Sequence, residues 1–147
     1  MAYKGKYSPD NYKKYSGDPT KIIYRSSWEL RFMKWLDHNT NVLAWGSETV
    51  VVPYKNPITG RKHRYFPDFV VLMRDKEGNE QTYMIEIKPK KQTKPPEKKS
   101  RITKNYIREV STFAINNYKW KYAEEFCKDR KWKFLVLTEN ELGLGNG

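Results

Sequence analysis

One cysteine, Cys127, stands in a chain of 147 residues. It excludes an intrachain disulfide framework and any four-thiolate zinc site. The only two histidines, His38 and His63, lie too far apart in the chain to suggest a histidine metal site. No apolar run approaches the length that spans a bilayer, and no signal-peptide pattern opens the chain. Cytosolic synthesis and no membrane partner are therefore expected. Acidic residues are scarce: 17 Asp and Glu face 29 Lys and Arg, a net charge of +12. That imbalance favours nucleic acid or another anionic surface as partner, against the plainer reading of a solvated basic face. Aromatic residues are plentiful at 15%, with 11 Tyr and 5 Trp. Some must build the core, and others are free to lie against nucleic acid.

The length suits a single domain with a modest core. Residues 1–20 carry Lys4, Lys6, Lys13 and Lys14 among Gly, Pro and Tyr without any period, which reads as a basic extended N-terminal arm. A domain over 21–140 and a flexible tail over 141–147 complete the expected organisation. Ser26-Ser27-Trp28-Glu29 begins a helix in which Trp28, Phe32 and Trp35 recur at helical spacing, with an end near Asn39 or Asn41. Three strands are expected over Glu48–Tyr54, Arg64–Met73 and Thr82–Lys88, with turns at Asn56–Gly60 and Asp75–Glu80. A helix follows from Ile102 or Thr103 to about Arg130, with a possible break at Asn116-Asn117. A last strand covers Lys133–Thr138. The predicted order is α-β-β-β-α-β, an α/β domain with a small mixed sheet.

Two short patterns carry chemistry. Side chains alternate faces along a strand, so Met84, Glu86 and Lys88 share one face while Tyr83, Ile85 and Ile87 share the other, apolar one. A Glu and a Lys at a strand end are usually a surface ion pair of little worth. Pro67-Asp68 raises the stakes. Proline inside a strand marks an edge or bulge, and bulges re-aim side chains beside active sites. Asp68 also interrupts an apolar stretch. Pairing of the second and third strands brings Asp68 towards Glu86, and two carboxylates so placed repel unless a cation sits between them. Mg²⁺, a hard ion that takes oxygen ligands, meets that need. Two acids and a lysine around such an ion can activate water against a phosphodiester. Glu29 is a third candidate acid, although Ser26-x-x-Glu29 also fits a capping box. From Lys88 onwards a proline-rich basic segment leaves the third strand.

Glu29 on the first helix, then Pro67-Asp68, then Glu86-Ile87-Lys88, in this element order, resembles the PD-(D/E)xK nuclease superfamily. The resemblance is to its branch of transposon end-cutting endonucleases, and more narrowly to the head-completion nucleases of T-even-type tailed phages. It is carried by Tyr24-Arg25-Ser26, Ala44-Trp45-Gly46-Ser47-Glu48, Pro53-Tyr54, Arg64-Tyr65-Phe66 and the run Glu86 to Thr93. Pro95-Pro96, Lys119-Trp120 and Leu137-Thr138-Glu139 extend it over nearly the whole chain. The resemblance implies a restriction-endonuclease-like domain with catalytic Glu29, Asp68, Glu86 and Lys88. It implies Mg²⁺, with Mn²⁺ able to substitute, held by Asp68, Glu86 and the backbone carbonyl of Ile87, with Glu29 serving a possible second ion. Lys90, Lys91, Lys94, Lys98, Lys99, Arg101 and Lys104 would grip DNA. It further implies endonuclease action in phage head completion after DNA packaging, trimming the DNA end before head–tail joining. Portal or neck proteins would be neighbours, with assembly in the host cytoplasm and retention at the virion head–tail junction. The alternatives are a non-catalytic DNA-binding head–tail junction protein and a repair or junction-resolving nuclease of the same superfamily.

Overall fold

The computed structural model describes residues 4–143; residues 1–3 of the expected arm and 144–147 of the expected tail lie outside the described residues. In chain order the elements are β1 Gly5–Lys6, β2 Ile23–Tyr24, α1 Ser27–His38, β3 Val42–Ser47, β4 Val52–Lys55, β5 Lys62–Tyr65, β6 Phe69–Arg74, β7 Glu80–Ile87, α2 Lys104–Arg130 and β8 Lys133–Leu137. Four of the strands form the central sheet in the order β3-β6-β7-β8. Its first three strands run antiparallel and β8 joins β7 in parallel, so the sheet is mixed. The elements that build this layer follow one another as α1-β3-β6-β7-α2-β8, an α-β-β-β-α-β pattern whose first strand is Val42–Ser47 rather than the expected Glu48–Tyr54.

Each sheet face has its own cover. Against one face, Phe32, Met33 and Leu36 of α1 pack on Val42, Trp45, Phe69, Val71, Ile85 and Ile87. On the other, Met84 meets Ala123 and Cys127 of α2 together with Val52, Tyr54 and Tyr65 of the β4–β5 hairpin. The alternation along β7 thus sends Ile85 and Ile87 towards α1, and Met84 towards α2. Cys127 is a buried packing residue.

Local chemistry sets the boundaries. Ser26 caps α1 by accepting the Glu29 amide at 3.1 Å, and Thr103 caps α2 by accepting the Tyr106 amide at 3.1 Å. The helix α2 continues through Asn116-Asn117 without a break. Asn117 Nδ2 turns back to the Phe113 carbonyl at 2.9 Å, which keeps its polar group inside the helical pattern.

Two of the expected strands differ from those observed. The segment Glu48–Tyr54 is not one strand: Glu48 has φ 53, in the left-handed region, so β3 ends at Ser47 and β4 starts only at Val52. Likewise Arg64–Met73 splits around Phe66–Asp68. Its first part pairs in the small β4–β5 sheet and its second in the central sheet. Pro67 is fully buried in this break rather than placed at a strand edge.

The N-terminal segment differs from the extended arm expected of it. Residues 4–20 lie on the domain. Asp37 of α1 is fully buried. It accepts from the Tyr7 hydroxyl at 2.8 Å, the Asp10 amide at 2.8 Å and the Asn11 amide at 3.0 Å. Lys14 Nζ donates to the carbonyls of Leu36, Asp37 and Asn39 at the helix C-terminus. Local periodicity carries no sign of this, because the partners lie more than twenty residues away.

Candidate active site

The site forms where the break before β6 meets the end of β7. Asp68 stands directly before β6, and its carbonyl accepts the Glu48 amide at 3.1 Å. Asp68 Oδ2 accepts the Ile87 amide at 2.8 Å, which ties the carboxylate to the last residue of β7. Glu86 points to the α2 side of the sheet and exposes 6% of its surface. Its Oε1 takes the Tyr65 hydroxyl at 2.6 Å and its Oε2 faces Lys88 Nζ at 3.6 Å.

Burial and mutual repulsion set the electrostatics. Burial, with the charge of Glu86 beside it, pushes Asp68 up to about 8, against the pull of the Ile87 amide and Lys88. Burial also raises Glu86, despite the Tyr65 hydrogen bond and the nearby Lys88 and Lys119 ammoniums. Two buried carboxyls that both resist ionisation are a site prepared for an added positive charge. Their donors are all oxygen, which suits a hard divalent cation rather than a thiophilic one.

Glu29 lies on α1, close enough for its charge to act on Asp68 and Glu86. Burial raises it too. Its Oε1 takes the Arg25 amide at 3.3 Å, one residue before the cap, so the capping contact and an outward position at the site coexist. Arg25 in turn pairs with Glu48. The carboxylate oxygens of Glu29, Asp68 and Glu86 do not all gather within 4.8 Å of one another. Among the described residues, the one trio of acids or histidines whose ligand atoms gather within 4.8 Å is Asp10, Asp37 and His38. There the Asp37 oxygens are already taken by the N-terminal segment, so that trio is a structural staple.

Sequence reasoning about catalytic roles passed over two residues. Tyr65 is buried and sits on Glu86. Lys119 of α2 is half-buried, with Nζ 5.6 Å from the Tyr65 ring centroid and 5.8 Å from that of Tyr54. Burial, and then the Lys88 charge, lower its pKa, while Glu86 opposes the shift. The signal for Lys119 was a charged residue on the apolar stripe of α2, between Asn116 and Ala123. Of the basic segment, Lys90 and Lys91 lie in a 3-10 turn, and the Lys90 amide donates to Glu139 Oε1 at 2.7 Å. Lys94, Lys98, Lys99 and Arg101 are exposed along an extended stretch, and Lys104 opens α2.

Residues 39–139, which hold Asp68, Glu86, Lys88 and Lys119, match the family model described as TnsA-like endonuclease N terminal. The chain is also 48% identical over 146 residues to the head completion nuclease of Enterobacteria phage T4, covering 97% of this chain and 95% of that protein. The chain is therefore a DNA-hydrolysing protein that belongs to the TnsA-like endonuclease family, with the restriction-endonuclease-like α/β fold.

Proposed function

We propose that this protein is a metal-dependent DNA endonuclease of phage head completion, trimming or processing the packaged DNA end before head–tail joining. The observation that carries the reading is the buried Asp68–Glu86 pair, both acids held above their ordinary pKa with Lys88 against one of them. A structural or plugging protein gains nothing from such a pair, because unneutralised buried acids destabilise the fold. The likeness to a named head completion nuclease supports the biological setting. On this reading the protein works in the host cytoplasm next to portal or neck proteins and is retained at the head–tail junction. No described helix is long and apolar enough to cross a membrane.

Asp68, Glu86 and the Ile87 carbonyl would hold Mg²⁺, for which Mn²⁺ would substitute. A bound divalent ion supplies an acidified water and charge neutralisation on the scissile phosphate. Lys88, held by Glu86, orients the attacking water and stabilises charge that develops on the phosphate. Tyr65 fixes the rotamer of Glu86, as a hydrogen-bonding partner behind a metal ligand does. Glu29 stands ready for hydrated metal or a second ion. Lys90 to Lys104 hold the phosphate backbone, giving affinity without base information.

The test is incubation with linear and circular duplex DNA and with single strands, in Mg²⁺ or Mn²⁺, with EDTA and Asp68→Ala as controls. Cutting that disappears in both controls is expected. DNA binding without cutting on any of these substrates would overturn the nuclease reading.

A further inference from the structure

The basic segment does not lie flat. Between residues 91–99 and the N-terminal half of α2 runs an open cleft of about 700 Å³, within the size range of ligand sites. Its rim carries Lys91, Lys94, Lys99 and Arg108, against Glu97 and Glu109, a balance of four cations to two acids. Its walls carry Pro95, Pro96 and Phe113. Asn116 also lines the cleft, exposes 5% of its surface and hydrogen-bonds no described residue through its carboxamide. Both walls adjoin site residues along the chain. Lys91 follows Lys88 by three residues, and Asn116 precedes Lys119 by three on the same helical face.

We propose that this cleft is a subsite for unpaired nucleotides, so that a single-stranded DNA end is led along it to the Asp68–Glu86 site. The proposal rests on the endonuclease reading and deepens it by naming a substrate form. Cations at the rim meet phosphates, but cations alone would serve any DNA. The apolar and aromatic wall adds a requirement: Phe113 and the two prolines offer flat surfaces to a base face, and base faces are free only where the strand is unpaired. Asn116 adds a second. A carboxamide with a free donor and a free acceptor matches the edge of a base, and an unpaired base leaves its pairing edge open. The two rim acids weaken a purely electrostatic clamp, which leaves stacking and hydrogen bonding to select the occupant.

The experiment measures binding of the full chain in EDTA, by fluorescence anisotropy, to hairpin DNA that is blunt or carries a short 3′ or 5′ single-stranded tail. Wild-type protein should bind one tailed form about tenfold more tightly than the blunt form, the order that one stacked base contributes. Phe113→Ala and Asn116→Ala should each remove most of that advantage while blunt-hairpin affinity changes less than about twofold, and Phe113→Trp should retain it. Circular dichroism checks the fold of each variant. If either alanine variant fails to fold, the milder Phe113→Leu and Asn116→Ser must still erode the tail advantage. Equal binding of tailed and blunt DNA by wild type would overturn the subsite, as would variants that weaken both forms equally. Cleavage in Mg²⁺ is scored separately. Cutting of blunt and tailed DNA alike with equal binding removes the subsite and leaves the nuclease, whereas tail-dependent binding without cutting removes the nuclease and leaves the subsite.

Discussion

Replacing Asp68 by Asn should stabilise the metal-free protein, increasingly so at high pH. The carboxamide would keep an oxygen for the Ile87 amide, now 2.8 Å from Asp68 Oδ2, and would remove the charge that repels Glu86. The sign follows from linkage. An acid whose folded pKa lies above its unfolded value holds its proton more firmly in the folded state. Between the ordinary 3.8 and about 8, the folded chain therefore binds more protons, and stability falls as pH rises through that window. Each pH unit removes at most about 1.4 kcal/mol, so the full window bounds the effect near 6 kcal/mol. Sharing of one proton between Asp68 and Glu86, and water on the open side of the site, reduce this to a working figure of about 3 kcal/mol at pH 8.5.

For a chain of this length that corresponds to roughly 10 °C in melting temperature. The assay is thermal unfolding of wild type and Asp68→Asn in EDTA from pH 5 to 9. The variant should melt higher throughout, with a gap that widens towards pH 8 and then levels. Added Mg²⁺ should raise the melting temperature of wild type and leave the variant nearly unmoved. A variant that melts below wild type at pH 8.5, or a gap that does not change with pH, would refute the claim that two unneutralised acids strain this site.

The other expectations address separate parts of the molecule. Glu86→Ala should abolish cleavage while circular dichroism and DNA binding stay near wild type; loss of the fold would make Glu86 structural. Tyr65→Phe deletes only the hydroxyl on Glu86 and should weaken Mn²⁺ binding about tenfold by calorimetry, so an unchanged affinity would remove Tyr65 from the site. Asp37→Ala removes the acceptor of the Tyr7 hydroxyl and of the Asp10 and Asn11 amides and should cost about 3 kcal/mol, read as a lower melting temperature and faster proteolysis near Asp10. Lys94→Ala/Lys98→Ala/Lys99→Ala should flatten the salt dependence of DNA binding by about 0.9 in log–log slope for each phosphate these lysines neutralise. An unchanged slope would leave those lysines merely solvated.

What the sequence disclosed follows the range of the forces involved. Helices were legible because capping and apolar spacing are local: Ser26 and Thr103 cap the two helices near the expected starts. The succession β6, β7, α2, β8 was legible because β7 and β8 alternate or run apolar over their whole length, whereas β3 at Val42–Ser47 was missed in favour of the β-branched run after Glu48. Strand ends were not legible. Glu48 takes a left-handed conformation that its residue type does not announce, and Pro67 separates two sheets rather than marking one edge. Asp68 and Glu86 stood out as acids in apolar surroundings, but Tyr65 and Lys119 did not, since their bearing on the site comes from packing between the β4–β5 hairpin and α2. The N-terminal segment shows the same limit. Its lysines and tyrosines read as an unstructured basic arm, yet its hydrogen bonds are to α1.

Buried polar groups in this fold fall into two kinds, and the difference separates structure from function. Asp37 is as deeply buried as any residue, yet its oxygens are met by three donors, which hold its pKa below the ordinary value despite burial. Burial there is compensated, and the group acts as a staple. Glu86 and Asp68 have donors as well, one each from Tyr65 and Ile87, but those donors do not offset burial and like charge, and both acids stay raised. The Asn116 carboxamide has no partner among the described residues at all. A fold that satisfies one buried acid completely had the means to satisfy the others. Asp68, Glu86 and Asn116 flank the end of β7 and the cleft beside α2, whereas Trp45 Nε1, also buried without a partner among the described residues, lies in the core under α1; the two acids that stay raised beside each other, rather than an isolated indole, mark where a ligand completes the structure.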